Sequence, residues 1–398
     1  MPQHLYKYFL GLLAATAPLA TDMYLPAIPM LAERWQVPTS TVHLSLVLWF
    51  FAYGLMLLFW GSVSDRTGRR PILIIGLSLF IGASLLCAIS QDVTQLIGAR
   101  ILQGIGAAGA AAMVMAIARE RFEGQERKRT LAWVSVILGF APMIAPTIGS
   151  AILEVASWRV IFIAQGSLAG VSLLATLFLY QETATITARK TSRIAGVTKE
   201  LFARYGRLLH NPGYLLANGS TSLLSAPLLG FVAYSPVAFI VHFEFTQTQF
   251  AMAFGGNAAF VIIGSLICAK LVDRIDDRKL LSLAFMGCLV GGVLLLAFGA
   301  QQWLAFSTAM AIYSFFFGLS RPLVNHLVLD YVHEDFGAAA SGLVSVQFLC
   351  GAAGMAIATA EWQQPFLVFG LLSTVCPVLT LILWPLAKAC EQPDVSHC

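Results

Sequence analysis

"GSVSDRTGRRP" (residues 61–71) puts one Asp and three Arg between two long apolar runs. That knot decides how the chain is read, because charge is scarce elsewhere. Of the 398 residues 58% are hydrophobic and only 11% charged, against about 25% charged in an average soluble domain. Apolar runs of about 18–25 residues, each long enough to cross a hydrocarbon layer of roughly 30 Å, recur from end to end. Twelve spans are expected, at 6–29, 42–60, 72–90, 94–118, 131–153, 158–180, 213–240, 248–269, 280–300, 303–329, 338–360 and 364–387. Connections such as "SQDVTQ" and "AQQ" leave no room for a soluble catalytic domain. The charged stretch is then the connection between the second and third spans.

Lysine and arginine orient the spans, since cytoplasmic connections carry the excess. Lys7, three residues in 61–71, five in 119–130, six in 181–210, four in 270–279 and Lys388 fall on one side, 20 of the 24 basic residues. The chain is therefore expected to be an all-α integral membrane protein with both termini cytoplasmic. The net charge of +4 reflects this inner face and does not suggest nucleic-acid binding. The first run follows Lys7 and carries small residues near Ala20, as a secretory leader does. It continues through "TDMYLPAIP" and eleven more spans follow, so it is expected to be a retained helix.

The longest polar interval, 181–212, lies near the midpoint. It reads as a basic cytoplasmic linker, with a short amphipathic helix at 197–209 on the membrane surface, between six helices in 1–180 and six in 213–398. A weak repeat points the same way. "KLVDRIDDRKL" (270–280) follows the eighth span as "GSVSDRTGRRP" follows the second, and Asp273 and Arg274 match Asp65 and Arg66 at an offset of 208. Two halves related by an internal repeat are a common transporter plan, with the substrate site near mid-membrane at their interface. Seven cysteines without a CxxC or metal spacing predict neither disulfide nor metal site.

Within 61–71, Gly61 and Gly68 are expected to allow a tight reversal, and Arg66, Arg69 and Arg70 to face the anionic leaflet. Asp65 is the odd member. The eleventh span, starting near Gly337 on the same side, would offer its positive N-terminal end to that carboxylate. Asp65 is expected to latch the halves in one conformation and release them in the other; the plainer reading is that the loop only pins topology.

Charges inside a bilayer are costly and usually functional. Asp22 lies ~24 Å into the membrane from Tyr6, and Arg100 ~9 Å from the opposite side, so their depths agree. Burial favours the neutral acid, a neighbouring Arg favours the carboxylate, and substrate arrival can tip the balance. Asp22 is expected to carry the proton with Arg100 as electrostatic partner, the alternative being that Asp22 caps a helix end. Arg321 and Asn325, one turn apart, give the tenth span a polar face, suited to an acidic or carbonyl-bearing substrate or else to a structural ion pair. Asn257 and Gln347 are further polar positions in apolar spans. Trp49 and Tyr53 share a helix face, and Tyr53 is expected to line a pocket for bulky amphipathic compounds. Gly139, Pro142, Pro146 and Gly149 weaken the fifth span, so that it can bend or approach a neighbour closely.

These stretches carry a resemblance. "GSVSDRTGRRP" looks like the signature loop between helices two and three of the major facilitator superfamily. "LIGARILQGIGAAGAA", with Arg100, Gln103, Gly104 and Gly106, resembles the fourth-helix motif of its drug:proton antiporters. "APMIAPTIGSAI" resembles their fifth-helix antiporter motif, with Ala145 and Ser150 standing where that motif has Gly. "TDMYLPAIP" and "SWRVIF" resemble the Bcr/CflA-like drug-efflux branch.

The resemblance implies a monomeric twelve-helix exporter of antibiotics or small metabolites, exchanging them for protons by alternating access. Its partners would be substrate, protons and membrane lipids. No cofactor is expected: the proton gradient drives it, and the chain has no G-x-x-x-x-G-K-[ST] loop for ATP. The alternatives are a proton symporter or facilitator importing a nutrient, and a receptor or assembly partner that does not transport. An enzyme is not expected, because the seven His are scattered without paired carboxylates.

Overall fold

The computed structural model describes residues 3–183, 204–332 and 335–389, which are helical with no strand among them. Most of the basic linker lies outside these residues; of the amphipathic helix expected at 197–209, only 204–209 is described, and it is helical.

The first span departs from the expected single helix over 6–29. α1 (Gln3–Asp22) stops, a 3-10 turn follows at Leu25–Ala27, and α2 (Ile28–Trp35) resumes. The cause is Pro26: it has no N–H to give the Asp22 carbonyl four residues earlier. The seventh span breaks the same way. Instead of one helix over 213–240, α8 (Pro212–Ser222) is followed by α9 (Ser225–Pro236) and a π-turn at Val237–His242, with Pro227 withholding its N–H from Leu223.

The other spans are α3 (Thr39–Thr67), α4 (Arg69–Ile89), α5 (Val93–Arg121), α6 (Gly124–Val155), α7 (Arg159–Phe178), α10 (Gln247–Leu271), α11 (Asp277–Phe298), α12 (Trp303–Leu327), α13 (Phe336–Thr359) and α14 (Pro365–Ala389). Among the described residues, eleven helical segments are long and apolar enough to cross a membrane. The broken first span adds to these.

The 61–71 stretch is almost entirely helix, which corrects the expected role of Gly61. That residue lies inside α3 with open space where a side chain would go. Gly68 alone makes the reversal, at φ 94°, a backbone conformation that costs other residues a Cβ clash. A second glycine is needed for close approach. A Cβ at Gly149 of α6 would collide with the Met23 carbonyl, at the break after α1.

Helix pairings recur along the chain. Before residue 181, α3 and α4 pack on α5, α4 on α7, and α1 on α6; after residue 211, α10 and α11 pack on α12, α11 on α14, and α9 on α13. Two extensive crossings join the early helices to the late ones, α3 against α13 and α6 against α10. Between these crossings lies a cavity.

Candidate functional site

The cavity measures about 960 Å³ and is walled mainly by apolar side chains of α1, α3, α5, α6, α9, α10 and α13. One end carries the charged residues Asp65, Arg69, Arg119 and Glu120 on one lip and Arg204 and Asp335 on the other. The opposite end is shut by hydrogen bonds between the walls. The Ser150 hydroxyl donates to the Gln247 carbonyl at 3.1 Å, Thr248 to Glu154 at 3.0 Å, and Ser40 to Glu361 at 2.9 Å.

Asp22 reaches the cavity wall because α1 ends there, with Pro18 and Thr21 beside it. It is 5% exposed and accepts a hydrogen bond from the Thr21 hydroxyl at 2.8 Å. Arg100, fully buried on α5, lies behind this wall and does not line the cavity. The expected partnership takes an indirect form. The guanidinium donates to the Ala20 carbonyl at 2.9 Å and to Gln103, and makes no hydrogen bond to Asp22. Its Nε and Nη2 have no hydrogen-bond partner. They are held instead among rings, with Tyr24 at 5.0 Å, Trp49 at 5.6 Å and Phe162 at 5.9 Å from the guanidinium carbon, an arrangement attractive to a desolvated cation. Gln103 is braced in turn, donating to Ser84 at 2.8 Å and to Gln165 at 3.0 Å, while Gln165 donates back to the Ala20 carbonyl at 3.2 Å.

Tyr53 lines the cavity and stacks on Trp49 with centroids 5.0 Å apart and planes 12° from parallel. It also meets Phe348 of α13 edge-on at 4.9 Å, so the aromatic wall crosses from α3 to α13. Asn257 and Asn325 line the cavity as well, and Asn257 accepts from Ser314 at 3.1 Å. Arg321 does not, which corrects its expected place in the substrate site. Its guanidinium lies over the Phe317 ring at 4.5 Å, with Nε and Nη2 buried and unpartnered. Of the fifth-span motif, Gly139 and Pro142 line the cavity; Pro146 and Gly149 are buried away from it.

At the open lip, Asp65 pairs with Arg69 at 2.8 Å, and Arg69 reaches Glu120 at 2.7 Å and also Ser64. The expected contact of Asp65 with the start of α13 is not made here; Asp335 occupies that start and pairs with Arg204 at 3.7 Å and with Arg207. Arg66 is at the end of α3, and Arg70 donates to the Leu177 carbonyl at 2.7 Å. Two acids missed in the sequence tie down Arg69 and Arg70. Glu120 receives Arg69, and Glu182 accepts from the Arg69 and Arg70 backbone N–H groups at 2.9 and 3.0 Å, capping α4. Their only sequence signal is an acid next to basic connections. No group of His, Cys, Asp and Glu suited to a metal ion occurs among the described residues.

The Major Facilitator Superfamily profile matches residues 10–359. The chain is 31% identical over 291 residues, 73% of its length and 71% of the relative's, to the uncharacterized MFS-type transporter YdgK of Bacillus subtilis. It is 26% identical to the multidrug transporter MdfA of Escherichia coli O6:H1, covering 95% of this chain and 92% of that one. Among solved structures it is similar to a bacterial homolog of the lysosomal transporter Spinster (TM-score 0.68, 11% identity, 98% of this chain and 96% of that one). The nucleoside transporter NupG is a second (TM-score 0.72, 12% identity, 97% and 100%). At such identities these two speak for the fold alone. The chain belongs to the Major Facilitator Superfamily, as a multi-pass, all-helical membrane transporter and not an enzyme.

Proposed function

We propose that the chain is a proton-coupled exporter of small amphipathic molecules, of the Bcr/CflA-like drug-efflux kind, working by alternating access as a monomer in a bacterial inner membrane. It consists of two six-helix halves, 1–180 and 213–398, joined by the basic linker, with both termini cytoplasmic. The recurring helix pairings support the two halves, and the basic connections support the orientation. The open lip is then the cytoplasmic face, and substrate enters there or from the inner leaflet.

The observation that carries this reading is Asp22. Among the described residues it is the one carboxylate lining the cavity away from the charged lip. A buried carboxylate beside a fixed cation can exchange its proton for a cationic group, because each satisfies the same charge. Arg100, clamped to α1 through Ala20, holds the field constant while that exchange occurs. Asp65 and Arg69 on one lip, and Asp335 with Arg204 and Arg207 on the other, are the groups that meet when the cytoplasmic end closes. The proton gradient resets the cycle from outside, and no cofactor takes part. The similarity to a protein named a multidrug transporter supports export of drug-like cargo.

The test is proton movement in proteoliposomes under an imposed pH gradient, with a panel of amphipathic antibiotics and metabolites. Substrate-evoked proton flux is expected, and Asp22→Asn should abolish it while the protein still inserts. Flux that survives in Asp22→Asn would move the proton site elsewhere. Substrate movement without flux would make the chain a facilitator.

A further inference from the structure

The cavity wall carries amides, and the nitrogen of one of them has no partner. Gln347 of α13 lines the cavity between Val344 and Phe348. Its Nε2 is buried without a hydrogen bond. Asn257 of α10 also lines the cavity, and its Oδ1 is committed to Ser314 at 3.1 Å, which leaves its NH2 as the free end. Gln347 is the twelfth residue of the 24-residue α13 and Asn257 the eleventh of the 25-residue α10, so both sit at mid-helix.

We infer that Gln347 and Asn257 form an acceptor-reading subsite, selecting substrates that carry a carbonyl or similar oxygen in addition to a cationic, aromatic part held at Asp22, Trp49 and Tyr53. The inference rests on the exporter reading above. A buried amide that bonds to nothing is costly, and Leu or Met would fill the same volume without that cost. A ligand oxygen removes the penalty. The terminal torsion of Gln is soft, so the NH2 can tilt toward the cavity to meet that oxygen. A site that hydrogen-bonds a substrate discriminates strongly against an analogue lacking the group, because its own polar atoms are then left unpaired.

The experiment uses the full chain in lipid nanodiscs and equilibrium binding of two matched probes. Tetraphenylphosphonium is an aromatic cation with no acceptor; its monocarboxamide adds a single amide, with one carbonyl acceptor and one NH2. The wild type should bind the carboxamide about tenfold more tightly. Gln347→Met should remove that preference and leave tetraphenylphosphonium binding within about twofold, and Asn257→Leu should reduce the preference in the same sense. Equal binding of both probes by the wild type, or a preference that persists in Gln347→Met, overturns the subsite and leaves the exporter reading standing. Equal weakening of both probes in Gln347→Met assigns the residue to packing and overturns it too. If neither probe binds the wild type, the cationic amphipathic substrate class fails, and both readings fall together.

Discussion

The Arg100 guanidinium donates to the Ala20 carbonyl at 2.9 Å, two residues before Asp22, and not to the Asp22 carboxylate. The cation is thereby fixed to the backbone of the helix that ends in the acid. In the proposed proton exchange its field acts on Asp22 whether the acid is charged or not, and no salt bridge has to be broken and remade in each cycle.

Arg100→Lys follows from this. Lysine keeps the charge but loses the planar fork that spans Ala20, Gln103 and three rings. Ring contacts of a desolvated cation are worth about 1–2 kcal/mol, so coupled transport should fall by about tenfold with insertion unchanged. Full activity in Arg100→Lys would mean that charge alone suffices.

Gly149 and Gly61 make a contrasting pair. Gly149→Val drives a side chain into the Met23 carbonyl, an overpacking expected to cost about 1–3 kcal/mol and to lower the melting temperature in detergent. Gly61→Ala meets open space inside α3 and should stabilise by about 0.5–1 kcal/mol. The opposite order of melting temperatures would contradict the packing described.

Glu182→Ala removes the acceptor for two backbone N–H groups at the start of α4. Loss of such a cap costs about 0.5–2 kcal/mol. Thermal unfolding should register it, and an unchanged melting temperature would show that water replaces the cap without loss.

The closed end should yield to deletion of its hydrogen bonds. Ser150→Ala combined with Glu154→Ala removes the contacts to Gln247 and Thr248, each worth about 0.5–1.5 kcal/mol. Spin-label distances across this end should show a larger open population than in the wild type. Identical distance distributions would place the closure elsewhere.

Much of the fold was legible because bilayer thickness sets the length of an apolar run. The spans at 72–90 and 280–300 match α4 and α11 within a few residues. Hydropathy marks the bilayer limit, however, and not the helix end, which is why α3 was expected to stop at 60 and runs to Thr67. The breaks at Pro26 and Pro227 were hidden inside apolar runs that hydropathy treats as uniform. In the site, Asp22, Tyr53, Asn257 and Asn325 were found by their polarity or ring content, and all four line the cavity. Arg321 was expected on the cavity face with Asn325, but its guanidinium is held over the Phe317 ring one turn earlier and does not line the cavity. Gln165 had no local signal, and Glu120 and Glu182 only that of an acid beside basic connections, since their roles come from residues more than fifty positions away in sequence.

A single residue, Gly68, separates α3 from α4, and Glu182 fastens the start of α4 to the segment just beyond α7. This linkage is short. A swing of α3 where it crosses α13 is expected to carry α4 with it, and through the Glu182 cap and the packing of α4 on α7 the third helix too, so that the three turn as one lever. An extra residue after Gly68 would introduce lost motion, and the far arm of that lever would lag behind the helix that drives it.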